Sequence, residues 1–175
     1  IANSIGEKNK ENILKYFGQT VVYGVVLSIL VTFIGLFFAS NIFLLMGSTS
    51  EVTYLGLKYT NVIFSGSIIF ISVVALNSLL HAEGDTKTFR NVLILSFFLN
   101  IILNPIFIFG FGPIPSMGMT GIGLATIICQ IIAFLLLLKK IIKSKRIKKI
   151  TYRYFLPNFL FLKKIFFQSA PISAA

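Results

Sequence analysis

The sequence predicts an all-α, polytopic membrane bundle with four complete transmembrane helices. Three observations carry that reading. Only 12% of the 175 residues are charged and 56% are hydrophobic, whereas soluble domains run at about 25% charged. Four apolar runs, at about 20–45, 57–80, 91–111 and 120–138, are too long and numerous to be buried in a globule of this size. The cations also alternate in placement: 15 of the 16 Lys and Arg residues fall in 1–18, 81–90 and 139–164. Those segments share one side if four spans alternate. The positive-inside rule makes that side the cytoplasm of a multi-pass inner (plasma) membrane protein.

The first span, 20–45, holds no charged residue and no histidine. At 1.5 Å per residue it reaches about 39 Å, enough to cross a roughly 30 Å hydrocarbon core with tilt. Gly24, Ser28 and Thr32 recur every four residues and form a small-residue face for close helix packing. A tight polar turn at 46–53 leads to the second span, which contains Asn61, Ser65, Gly66, Ser67, Ser72 and Asn77. A charged turn at 81–90 precedes the third. Within it Asn100 and Asn104 lie four residues apart, on one helix face with Ser96, and Pro105 removes a backbone donor. After a Pro/Gly turn, the fourth span carries a second small face, Gly121, Ala125, Cys129 and Ala133, with Thr126 and Gln130 one position round. The stretch 139–153 has eight basic residues and no acid. It reads as a cytoplasmic segment lying on anionic lipid, not as a nucleic-acid site, since hydrophobic segments frame it. Residues 155–167 suit an amphipathic surface segment leading to a further span.

Few motifs carry chemistry. Gly110-Phe-Gly112 and Gly121-Ile-Gly123 lack the context of a phosphate-binding loop. The single cysteine excludes an internal disulfide framework. His81, the one histidine, stands with Glu83 and Asp85 at a helix end, where a solvated role accounts for it. No arrangement of nucleophile and base suggests an enzyme, and no cofactor is expected. The uncharged groups Asn77, Asn100, Asn104 and Thr126 remain. They serve either as interhelical glue, worth on average about 0.6 kcal/mol per bond in membranes, or as the lining of one polar cavity.

Three stretches in order resemble the multidrug and toxic compound extrusion (MATE) family. They are Glu83-Gly-Asp-Thr-Lys87, the helix Leu99-Asn-Ile-Ile-Leu-Asn-Pro-Ile-Phe-Ile-Phe-Gly110, and Gly121-Ile-Gly-Leu-Ala-Thr126 with Gln130. Ile1-Ala with Gly6 is similar to the end of the family's second helix. The resemblance implies helices three to six of a twelve-helix, two-lobe transporter: 1–138 as part of the N-terminal lobe, 139–164 as the basic inter-lobe linker, 165–175 as the start of the C-terminal lobe. It implies a secondary antiporter that exports organic cations or amphipathic drugs against sodium or protons, with small-molecule substrate, membrane lipid and the remaining helices as partners. It also implies that Asn77, Asn100, Asn104 and Thr126 help form a cation site, with sodium the one metal ion expected there. The sequence departs from the family pattern at Asn104, where many members have an acid, at His81, where arginine is common, and at Phe89, where proline is usual. A neutral amide ligates sodium through its carbonyl but carries no proton. All five acids, Glu7, Glu11, Glu51, Glu83 and Asp85, fall in predicted loops, so a charged coupling partner is expected in the family's first helix, outside this sequence. Two alternatives stay open: a lipid-linked precursor flippase of the same superfamily, and a non-transporting subunit or gene fragment.

Overall fold

The computed structural model describes residues 10–143 and Leu156. Five helices follow one another: α1 (Lys10–Leu45), α2 (Ser50–Ser65), α3 (Ser67–Ala82), α4 (Thr86–Phe109) and α5 (Met119–Lys143). Three of them, α1, α4 and α5, are each long and apolar enough to cross a membrane; α2 and α3 together make a fourth candidate, bent by 50°. The bent pair packs between α1 and α5, and α4 lies against α5. The expected inter-lobe linker beyond Lys143 and the expected start of a second lobe lie outside the described residues, Leu156 excepted.

The expectation of one continuous second helix over 57–80 is corrected by the break at Gly66. Gly66 N–H is shared between the carbonyls of Val62 and Ile63 at 3.1 Å, and Ile69 N–H turns to the Gly66 carbonyl. Three hydroxyl contacts tie the break to α1. Thr32 Oγ1 donates to the Phe64 carbonyl (2.8 Å) and lies 2.6 Å from Ser67 Oγ, which donates to the Ser28 carbonyl (2.9 Å). Two hydroxyl protons serve three contacts, so one proton is shared. The small face read on α1 is therefore partly a hydrogen-bonding face. The bent span also starts earlier than expected, because Thr49 caps α2 and only residues 46–49 form the turn.

The charged turn at 81–90 contracts to 83–85. Gly84, at φ +84°, closes α3: its N–H bonds the His81 carbonyl (2.9 Å) while Asp85 N–H bonds that of Leu80 (2.8 Å). This pair of bonds satisfies carbonyls that a helix end otherwise leaves open, and the left-handed φ favours glycine. Asp85 then caps α4, accepting from Thr88 N–H (3.0 Å) and the Thr88 hydroxyl (2.7 Å). Lys140 Nζ lies 3.2 Å from Asp85 Oδ2, which fixes the α3–α4 turn and the last turns of α5 at one end of the bundle. At that end Val73, Leu76, Leu79, Leu80, Val92 and Leu137 form the main apolar cluster. Gln19 Nε2 also donates to the Leu156 carbonyl (2.7 Å).

Outward, α4 presents Leu93, Ile94, Phe97, Phe98, Ile101 and Ile102, and α1 presents Ile29, Leu30, Phe33, Phe37 and Phe38, all exposed. Such apolar faces suit lipid. Inward, Gly121, Gly123, Ala125, Cys129 and Ala133 of α5 are buried. A Cβ on Gly121 would stand 2.5 Å from the Phe107 carbonyl oxygen, so α4 and α5 meet backbone to backbone at that level. Small residues at membrane helix interfaces permit this close approach.

Candidate polar site between α4 and α5

The four-residue spacing of Asn100 and Asn104 on α4 brings their amides together: Asn104 Nδ2 donates to Asn100 Oδ1 at 2.7 Å. Asn100 Nδ2 points across to Cys129 Sγ of α5 at 3.9 Å, a weak bond to a soft acceptor. Pro105 follows directly, yet α4 continues to Phe109. The α4 carbonyls of Phe107 and Ile108 are taken by Met117 and Gly118 N–H from the loop (2.9 and 3.3 Å).

Thr126 lies on the α5 side, three residues before Cys129, but its hydroxyl bonds back to the Ile122 carbonyl (3.0 Å). Asn77 makes no hydrogen bond to the other three among the described residues. Counted from the turn at 83–85, it sits about two and a half helical turns nearer that turn than Asn100 does. The structure thus joins Asn100 and Asn104, sets Thr126 on the adjoining helix, and leaves Asn77 on α3 with no direct bond to them.

Among the described residues, three buried amide oxygens have no hydrogen-bond donor: Asn77 Oδ1, Asn104 Oδ1 and Gln130 Oε1. Each costs about 1–3 kcal/mol unless a proton, a water or a cation meets it. Gln130 is the residue missing from the predicted set. Its signal was its place one turn beyond Thr126 on the same helix. With Ser96 of α4 it lines a cavity of about 230 Å³ among Phe70, Val73 and Val74 of α3. Hard oxygen donors of this kind suit a hard cation. No group of three or more His, Cys, Asp or Glu able to hold a metal occurs among the described residues. The four described acids, Glu51, Glu83, Asp85 and none other beyond Glu11 at the start of α1, all lie towards helix ends.

Residues 1–106 match the MatE family model. The chain belongs to the MATE family. Members are transporters, so the absence of enzymatic motifs is explained, and this chain is part of a multi-pass membrane protein. Among curated MATE relatives, the probable multidrug resistance protein YoeA of Bacillus subtilis is 31% identical over 145 residues, 83% of this chain and 31% of that protein. The probable multidrug resistance protein NorM of Oceanobacillus iheyensis is 31% identical over 126 residues, 72% of this chain and 28% of that one. A solved inward-facing MATE transporter superposes with a TM-score of 0.83 at 27% identity, covering 94% of this chain and 37% of that structure. A MATE structure in complex with MaD3S superposes at 0.79 and 28% identity, covering 94% and 36%. The chain therefore spans about a third of the length of its MATE relatives.

Proposed function

We propose that this chain supplies helices three to six of a twelve-helix MATE antiporter, one that exports organic cations or amphipathic drugs in exchange for sodium or protons. Asn100 and Asn104 form the centre of its first-lobe polar site, with Thr126 and Asn77 contributing from the neighbouring helices. The observation that carries this reading is the bonded Asn104–Asn100 pair, which leaves Asn104 Oδ1 buried and without a donor. That oxygen is the unmet group of the pair, and it can only accept. An acceptor recruits a cation or a proton donor.

The amides favour sodium at this position, since they ligate through carbonyl oxygen and do not titrate. A proton-coupled cycle requires a carboxylate elsewhere in the protein. The Asp85–Lys140 pair joins 81–90 to the start of 139–164, and Phe17 packs in one cluster with Leu79, Leu80 and Leu137; both support placing 1–18, 81–90 and 139–164 on one side, which the charge bias makes the cytoplasmic side of the plasma membrane. The test is Asn100→Ala in the full-length protein, read as efflux of a cationic dye under sodium and pH gradients. Removing the amide is expected to lower efflux at least tenfold with membrane expression unchanged; undiminished efflux removes this pair from the mechanism.

A further inference from the structure

A groove of about 350 Å³ runs between the start of α4 and the end of α5. On α5 its wall is Leu136, then Lys139 and Lys140, then Lys143, at helical spacing along one face. On α4 the matching face runs from Thr88 through Asn91 to Leu95. The helices are antiparallel, so the polar residues of both meet at one end of the groove and the two leucines at the other. Lys139 is the first residue past the apolar run of α5, which sets the polar end at the membrane surface and the leucine end within hydrocarbon.

The charge is unbalanced. Lys140 is held by Asp85 at 3.2 Å, whereas Lys139 and Lys143 make no ion pair among the described residues. Three ammonium groups against one carboxylate leave the polar end positive by two. The Asn91 amide adds a donor with no hydrogen bond among the described residues.

We propose that this groove binds an anionic glycerophospholipid, its phosphate between Lys139, Lys143 and Asn91 and its upper acyl chain along Leu95 and Leu136. A soluble phosphate uses only the charged half of the groove. A choline headgroup brings a cation to an already positive site. A lipid with an anionic headgroup matches both halves and their order along the membrane normal.

The test is native mass spectrometry of the full-length protein in detergent, titrated with phosphatidylglycerol and, separately, phosphatidylcholine. Phosphatidylglycerol is expected to bind at least tenfold tighter. K139Q/K143Q is expected to weaken it about thirtyfold, from the attraction each lysine near the surface exerts on anionic lipid, and to weaken phosphatidylcholine, whose choline balances its own phosphate, much less. K139R/K143R retains binding, and K58Q, towards the other end of the bundle, has no effect. If K139Q/K143Q proves unstable, the single variants decide the matter at about fivefold each. Wild-type affinity in K139Q/K143Q, or an equal loss in K58Q, overturns the site. Complete displacement of phosphatidylglycerol by 10 mM inorganic phosphate (about the highest level to be used), or unchanged affinity in Leu95→Gln, overturns its assignment to lipid.

Discussion

Replacing Thr32 by valine tests what holds the break in the second span. The change keeps the branched shape and removes one hydroxyl. That hydroxyl is 2.8 Å from the Phe64 carbonyl and 2.6 Å from Ser67 Oγ. Ser67 begins α3, near the middle of the bent span, and Thr32 is near the middle of the candidate span Lys15–Leu45, so no water is at hand to replace the bond. Two magnitudes bound the loss. Side-chain bonds between membrane helices average about 0.6 and reach about 1.7 kcal/mol. A buried carbonyl left without a donor costs about 1–3 kcal/mol. Ser67 keeps its bond to the Ser28 carbonyl, which limits the damage to one acceptor. The expected destabilisation is thus about 1–2 kcal/mol, or roughly five- to thirtyfold in the unfolding constant. The assay is SDS titration of the full-length protein in mixed micelles, followed by circular dichroism. Thr32→Ser restores the hydroxyl and loses a methyl group, so it should stay nearer wild type than Thr32→Val. If valine matches wild type and serine is the weaker variant, packing and not hydrogen bonding fixes the break, and the reasoning fails.

Gly121→Ala sets a Cβ 2.5 Å from the Phe107 oxygen, and reaching ordinary contact at 3.4 Å requires α4 and α5 to part by about 0.9 Å. Overpacking of this kind costs about 1–3 kcal/mol, to be read in the same titration. Asp85→Ala removes the cap of α4 and the partner of Lys140; about 1 kcal/mol is expected for the cap, and Asp85→Asn should recover most of it. The two Thr88 bonds, with Lys140 adding to them, hold the Asp85 pKa down from 3.8 to about 2. Its ionised form is therefore favoured in the folded state. The stability it adds is complete above about pH 4 and is lost as pH falls through about 2, so unfolding scans at pH 5 and pH 8 should show no difference from this residue.

The spans were legible because their signal is local: long runs without charge are expensive to place anywhere but lipid or a large core. The turn at Gly84 and Asp85 was legible for the same reason, each residue meeting a need of an adjoining helix end. The break at Gly66 was not. Its φ of −89° is one that any residue adopts, so nothing in Ser65-Gly66-Ser67 compels it. The deciding group, Thr32, lies more than thirty residues away, and on α1 alone it reads as one more small residue. The site divides along the same line. Periodicity puts Asn100 and Asn104 on one face, and they bond each other. Whether Thr126 turns to a neighbouring helix or to its own backbone depends on which of two acceptors is nearer, and spacing holds no information about that. Periodicity places Gln130 beside Thr126 but does not set it with the other four, because the burial of its amide oxygen depends on α3 and α4 closing over it.

The seam and the polar pair are one construction. Gly121, Ala125, Cys129 and Ala133 remove side-chain bulk along the face of α5 that α4 approaches, and the backbones meet near Phe107. That approach brings Asn100 to Cys129, a neighbour able to take only a weak bond. A serine in place of Cys129 would offer Asn100 a stronger acceptor. With a thiol there, one N–H of Asn104 goes to Asn100, and the oxygen of Asn104 stays without a donor. The group left unmet at this seam is an oxygen, and in the proposed function it is the one that would meet a cation. No acid occurs between Asp85 and Lys143, so any pull this seam exerts on a cation is that of dipoles.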